Sequence, residues 1–421
     1  MKGFRIFESQ KIINTIYMKK FFVALLAGLA MCMTANAQQY MYVAAQSTNG
    51  IVLVNLKTGD YQELDADIPV DIGIDDRGYT YVLGYDKESE TFKVWLNGQL
   101  QQHYIASDWG GDMFSSMAMK VVGNDVVIAC VLLRRFNKNG YEARQMGFVN
   151  GNIKYRTDWE RKSLKRDQFQ GYINISGSGR SVKMSLPGYN HNPYVLRDRD
   201  SKALSQVLFI ADVDYVNGDI YTTGWGEREY TETPVGYQKQ YLVRRCPRVW
   251  KNGKLLVEQY QNRTGAAWSI NVMRGGKNIL TSGHQRGNVC AWDGNRDMIS
   301  SGEGEILREA VIDCGNLDGA PVFMRAYILK ESDGNHIYYN VTGKNGDLKP
   351  EIMQIKDDFQ DIVAYQNKFY FLISDMLNYQ RRLCLCSVSS PNWTSGNFEY
   401  NFRERITFVP VVNGKCILAL K

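Results

Sequence analysis

The feature that most constrains this chain is a unit of two hairpins in series, repeated along its length. Its clearest copy covers residues 210–260. Residues 211–216 mix apolar and polar side chains, Asn217-Gly218 turns the chain, and residues 219–223 return before Gly224. Residues 241–250 make a third extended run, Asn252-Gly253 a second tight turn, and residues 254–260 a fourth run. Asn-Gly is a strong hairpin signal because both positions accept positive φ. The unit therefore predicts one antiparallel sheet of four strands.

Weaker copies stand before and after it. Val94-Trp95-Leu96-Asn97-Gly98 matches Val249-Trp250-Lys251-Asn252-Gly253, and Phe148-Val149-Asn150-Gly151 and Ala291-Trp292-Asp293-Gly294 are shorter versions. The first hairpin recurs too: residues 77–84 and 276–283 align without gaps on 217–224, each ending in glycine. Looser copies begin near Gly123, Asp333, Gln366 and Asn413. A repeat of roughly 40–50 residues with four strands is the signature of a propeller blade. One such sheet cannot bury both faces alone, so several pack around an axis, and the Trp before the turn fills the space between neighbours.

The pattern resembles secreted bacterial β-propeller proteins whose repeats end in an aromatic-Trp-Lys-Asn-Gly turn, over most of the chain after residue 40. The resemblance implies a fold and no activity. The expected architecture is all-β: a β-propeller of four-stranded antiparallel blades, about seven of them, within a range of six to eight. Blades are expected near 67–105, 112–155, 208–260, 266–310, 320–356 and 357–405. A further one pairs residues 40–45 and 51–56 with 406–410 and 415–420, and so closes the ring. Closure removes exposed sheet edges. Residues 154–202, with a basic run from Trp159 to Arg166, read as an insertion or a degenerate blade.

Residues 18–37 read as a secretory signal: Lys19-Lys20, an apolar run, and Ala35-Asn36-Ala37 as a small-residue cleavage site. The expected mature chain is one domain over residues 38–421, exported to the periplasm, cell surface or medium. The apolar run is too short to serve as a membrane anchor, and Met31 before Cys32 is bulky for a lipoprotein signal. The first 37 residues carry five of the 50 Lys/Arg and one of the 44 Asp/Glu, so the mature chain is nearly neutral. A neutral surface gives no footing for nucleic-acid binding, which depends on neutralising phosphates.

Seven cysteines lie beyond the leader. Cys130, Cys290 and Cys416 sit in apolar runs and read as small core residues. An odd count leaves at least one thiol outside any pairing. The four histidines have no ligand spacing, and neither a nucleophile elbow nor a phosphate-binding loop occurs. No cofactor or metal is expected.

The first strand of a blade lines the central axis. Counting back from each hairpin turn places Asp71, Asp212, Asn271 and Asp361 there, with Trp268 and Arg325 near one mouth. Two functions are compatible with this placement. One is a secreted, monomeric, non-catalytic binding or scaffold propeller, taking a glycan or protein at that mouth through these six residues. The alternative is a glycan hydrolase or lyase using two of Asp71, Asp212 and Asp361. Hydrolysis would need those carboxyls about 5–10 Å apart. A third reading makes them polar residues between blades, since a one-residue slip in register reverses a side chain's direction.

Overall fold

The turns that the Asn-Gly pairs predict are present in the computed structural model. Asn97, Asn150, Asn217 and Asn252 hold φ of 48°, 49°, 52° and 50°, and Gly98, Gly151 and Gly253 come next at 79°, 76° and 85°. The structure describes residues 40–421 apart from 139, 163–173, 179–180, 187–193, 198–199, 204–208, 218, 233–239, 260–264, 286–287, 295, 304, 318–319, 332–333, 343–350, 354–357, 366–367, 378–379, 390–402 and 411–414. The expected leader lies outside the described residues, as does His191. All described strands fall in one unit, Met41–Lys421.

Eight antiparallel sheets succeed one another along the chain. The first holds Met41–Ser47, Gly50–Asn55 and Tyr61–Leu64. The second holds Ile68–Ile74, Thr80–Asp86, Thr91–Leu96 and Gln99–Tyr104. The third holds Met113–Val122, Asp125–Asn137, Gly140–Val149 and Asn152–Arg156, with Glu160–Lys162 added on Gly140–Val149. The fourth holds Asn174–Ser178, Ser181–Leu186, Tyr194–Arg197 and Asp200–Ala203, and the fifth Phe209–Val216, Asp219–Glu232, Gln240–Lys251 and Lys254–Glu258. The sixth holds Gly265–Met273, Asn278–Gln285, Asn288–Asp293 and Arg296–Glu303. The seventh holds Glu305–Leu317, Ala320–Glu331, Gly334–Thr342 and Glu351–Met353, and the eighth Asp358–Tyr365, Lys368–Leu377, Gln380–Ser389 and Arg403–Pro410.

Three boundaries differ from the sequence reading. The stretch 154–202 supplies strands of a sheet of its own, so the sheets number eight among the described residues rather than seven. The seventh sheet begins at Glu305, on a strand whose first residues the sequence reading assigns to the preceding blade, 266–310, and whose remainder it assigns to none. The last strand, Cys416–Leu420, joins the first sheet alone. It pairs with Met41–Ser47 in the register Val43↔Leu418, while Arg403–Pro410 stays at the edge of the eighth sheet.

The strand that leads each sheet packs on its counterpart in the next. Ile68–Ile74 touches Met113–Val122, which touches Asn174–Ser178, and the contacts continue through Phe209–Val216, Gly265–Met273, Glu305–Leu317 and Asp358–Tyr365 to Cys416–Leu420. Cys416–Leu420 in turn touches Ile68–Ile74.

The repeated turn motif has a structural reason. Trp95, Trp250 and Trp292 are buried, and Trp95 packs on Ala44, Ile51 and Leu53 of the preceding sheet. The turn Asn pins the hairpin to the start of the second strand. Asn97 Oδ1 accepts the Thr80 N–H at 2.9 Å, and Asn150 Oδ1 accepts that of Val126 at 2.9 Å. A glutamine on the outer strand or just past it then clasps the turn of the next sheet: Gln62 Nε2 donates to the Gly98 carbonyl at 3.0 Å, and Gln259 Nε2 to that of Gly294.

Between the first two sheets, Lys93 is buried and donates to Asp86 Oδ2 at 2.9 Å and to Asp65 Oδ2 at 3.0 Å. The Lys93 hydrogen bond, outweighing burial, holds the Asp86 carboxyl at about 2, below its usual 3.8. A carboxyl depressed on folding contributes stability that is complete above its unfolded value and is lost as pH falls through the folded one. Wild type is therefore expected to lose about 1–2 kcal/mol more stability than Asp86→Asn between pH 5 and pH 2. Urea unfolding at both pH values checks this; parallel losses in the two proteins would contradict it.

Candidate functional site

Six leading strands carry a β-bulge near their start. The register slips between Pro69 and Asp71, Phe114 and Ser116, Ile210 and Asp212, Ala267 and Ser269, Ile306 and Arg308, and Phe359 and Asp361. Opposite the residue before the bulge stand Gly84, Gly224 and Gly283, the glycines that close the gapless repeat. The reason is visible at Gly283, where a Cβ would lie 2.0 Å from the Ala266 carbonyl oxygen. A bulge bends its strand and re-aims the next side chain.

The residue after the bulge is Asp71, Asp212 or Asp361 in three sheets, so the sequence-predicted acids do occupy one repeated position. Each carboxylate reaches across a seam to a backbone N–H of the next leading strand. Asp71 Oδ2 accepts from Met119, Asp212 Oδ2 from Ile270, and Asp361 Oδ2 from Leu418, each at 2.9 Å. Asp214 repeats the contact two residues on, to Val272 at 2.7 Å. No two of Asp71, Asp212 and Asp361 share a seam. These acids staple sheet to sheet, as the reading of polar residues between blades anticipates, and a charged acceptor makes such a bond about twice as strong as a neutral one.

Asn271 is not their counterpart. Ser269 is, because the turn after this strand spans four residues, 274–277, where Asn217-Gly218 spans two, and the longer turn shifts the count by two. Asn271 lies two places further along, half-buried. Ser269 joins a different device in the seam between the sixth and seventh sheets. Its Oγ donates to Glu309 Oε2, as Ser282 Oγ does at 2.7 Å. Arg325 closes the network: Nε donates to Glu309 Oε1 at 2.8 Å and Nη2 to the Thr281 carbonyl at 2.9 Å. The Arg325 side chain is 0% exposed and that of Glu309 2%. Arg325 thus lies within the seam rather than on a ligand surface, and sequence reasoning misses Glu309 and Ser282. Elsewhere in this seam Arg274 clamps Asp313 through Nε at 2.8 Å and Nη2 at 2.5 Å, and that hydrogen bonding, against burial, lowers the Asp313 carboxyl.

Trp268 is the bulged residue itself. It is half-buried and meets two rings edge-on: Trp225 at a centroid distance of 5.0 Å and His284 at 6.5 Å. Four of the six predicted residues therefore gather along Gly265–Met273. Trp268 and Asn271 are on it, Asp212 bonds to it, and Arg325 reaches its hairpin partner. Asp71 and Asp361 serve other seams. The arrangement offers a fixed aromatic surface beside a rigid polar network. Among the described residues, no group of three or more His, Cys, Asp or Glu is placed to hold a metal ion, and no helix is long and apolar enough to cross a membrane.

No family model matches the chain, and no curated protein does. Among solved structures it is similar to apo AztD from Citrobacter koseri at 8% identity, over 91% of this chain and 98% of that one, with a TM-score of 0.41. It is also similar to the dihydro-heme d1 dehydrogenase NirN in complex with DHE, at 8% identity over 88% and 73%, TM-score 0.47. A third is the β-propeller domain of the Trilobed protease from Pyrococcus furiosus, at 12% identity over 87% and 96%, TM-score 0.38.

Proposed function

We propose that the chain is an exported, non-catalytic binding propeller: eight blades closed by Cys416–Leu420, with a glycan or protein ligand received where Trp268 stands. The circuit of contacts between leading strands, returning from Cys416–Leu420 to Ile68–Ile74, supports the ring. The observation that carries the binding reading is the setting of Trp268. A bulge lifts this ring out of the strand's alternation, and Trp225 and His284 brace it while part of it stays exposed. A large, rigid, half-buried ring gives contact area at low entropic cost, which is why Trp dominates binding hot spots. The aromatic face suits a sugar ring or an apolar side chain.

Hydrolysis or lysis of a glycan is the alternative. It needs a pair of carboxyls near one substrate bond, and the three acids that suggested it each bond to a backbone amide in a different seam.

Screening residues 38–421 on a glycan array, then calorimetry on any hit, tests the reading. Trp268→Ala is expected to weaken the hit about tenfold or more, or about 1.4 kcal/mol, while Asp71→Asn leaves affinity unchanged. Equal binding by Trp268→Ala would remove the site. Polysaccharide turnover that disappears in Asp212→Asn would replace binding by catalysis.

A further inference from the structure

The third sheet carries a guanidinium that pairs with no carboxylate among the described residues. Arg134 and Arg144 stack on opposite strands against Trp159, their guanidinium carbons 4.4 Å and 4.5 Å from its ring centroid. Trp159 in turn packs on the apolar core shared by the second and third sheets. The two arginines differ in what else they touch. Arg134 is paired with Glu142, Nε to Oε2 at 3.1 Å. Arg144 makes neither a hydrogen bond nor an ion pair with any described residue, and its Nε is buried without a partner. Burial, then the nearby positive charges of Arg156 and Arg134, lower its basicity, with Asp158 acting the other way. Among the described residues the charges acting on Arg144 are those of Arg134, Arg156 and Asp158, and Glu142 is engaged by Arg134.

A half-buried cation with like charges beside it and no directly paired carboxylate among the described residues is costly, yet stacking on Trp159 holds it in place. Stacking covers the plane of a guanidinium and leaves its edge donors available. Those donors form a planar fork that matches two oxygens of one anionic group.

We infer that the edge of Arg144, with Arg156 beside it, is a binding site for one compact oxyanion, a carboxylate or a sulfate group carried by an acidic ligand. The site lies on the third sheet, apart from Trp268, and stands whether or not Trp268 contacts a ligand. Trp159 touches the guanidinium that would bind, so its fluorescence reports occupancy.

The test titrates residues 38–421 with sodium glucuronate and, separately, sodium sulfate, at ionic strength held constant with sodium chloride, reading tryptophan fluorescence and thermal midpoint. The expected result is a saturable change with at least one of the two. Saturation with glucuronate alone assigns a carboxylate source, and with sulfate alone a sulfate ester. Arg144→Gln is expected to weaken binding about tenfold and Arg156→Gln severalfold. Arg156→Gln carries the test should Arg144→Gln fail to fold. A response no larger than that to chloride alone, or one as strong in Arg156→Gln as in wild type, would overturn the inference.

Discussion

Arg325→Leu is expected to destabilise the protein by about 3–5 kcal/mol, among the larger effects open to a single substitution here. The side chains of Arg325 and Glu309 are 0% and 2% exposed. Removing the guanidinium leaves a carboxylate in a buried seam, held among the described residues by the hydroxyls of Ser269 and Ser282. Desolvation of the orphaned charge sets the cost, not the loss of the pair as such. The double variant Arg325→Leu/Glu309→Leu is therefore expected to recover most of the loss, because a buried ion pair and an apolar pair of similar volume differ little in net stability. Urea unfolding of the two variants and wild type measures both effects. A loss under about 1 kcal/mol in the single variant would contradict the buried network. So would a double variant as unstable as the single one.

Deleting residues 416–421 is expected to do more, abolishing the cooperative unfolding transition. The strand buries Cys416, Ile417, Leu418 and Ala419, and its apolar face completes a core with Val43, Ala45, Val54 and Leu372. Full burial of Ile417 and Leu418 contributes about 1.5–3 kcal/mol each. The ladder to Met41–Ser47 and the Asp361 bond to the Leu418 N–H add to this. The sum is of the order of the whole stability of a domain, about 5–15 kcal/mol. The truncated chain also exposes an unpaired edge at Met41–Ser47, a template for aggregation. A synthetic peptide of residues 415–421, added during refolding, is expected to restore the transition. A truncated protein that unfolds like the full chain would remove the last strand from the core.

Much of the fold is legible because its signals are local. Asn-Gly at positions 97–98, 150–151, 217–218 and 252–253 demands positive φ, and no partner elsewhere in the chain is needed to read it. The glycines at 84, 224 and 283 are legible as a repeated position, although only the structure shows that they face the residue before a bulge. What fails to read is non-local or shifted by a change in turn length. Residues 406–410 and 415–420 look alike as apolar runs, yet the second alone pairs with a strand whose partners lie at the other end of the chain. Asp71, Asp212 and Asp361 are found by counting from the turn, but in the sixth sheet the same count lands on Asn271 and misses Ser269. Arg325 reads as a mouth residue because its partner, Glu309, lies on a strand whose sheet the sequence does not reveal. The chemistry of these residues depends on what lies across a seam, and no sequence spacing encodes that.

A cross-link between the two ends of the chain reports whether the last strand closes the ring. The Gln46 N–H donates to the Lys415 carbonyl at 2.9 Å, and the two residues are accessible at the margin of the joined strands. In the double variant Gln46→Cys/Lys415→Cys, mild oxidation, then digestion and mass spectrometry, reports which peptides become joined. The account predicts a disulfide between positions 46 and 415 within one monomeric chain. Absence of that link under conditions that oxidise exposed thiols, or its appearance only between two chains, would contradict it.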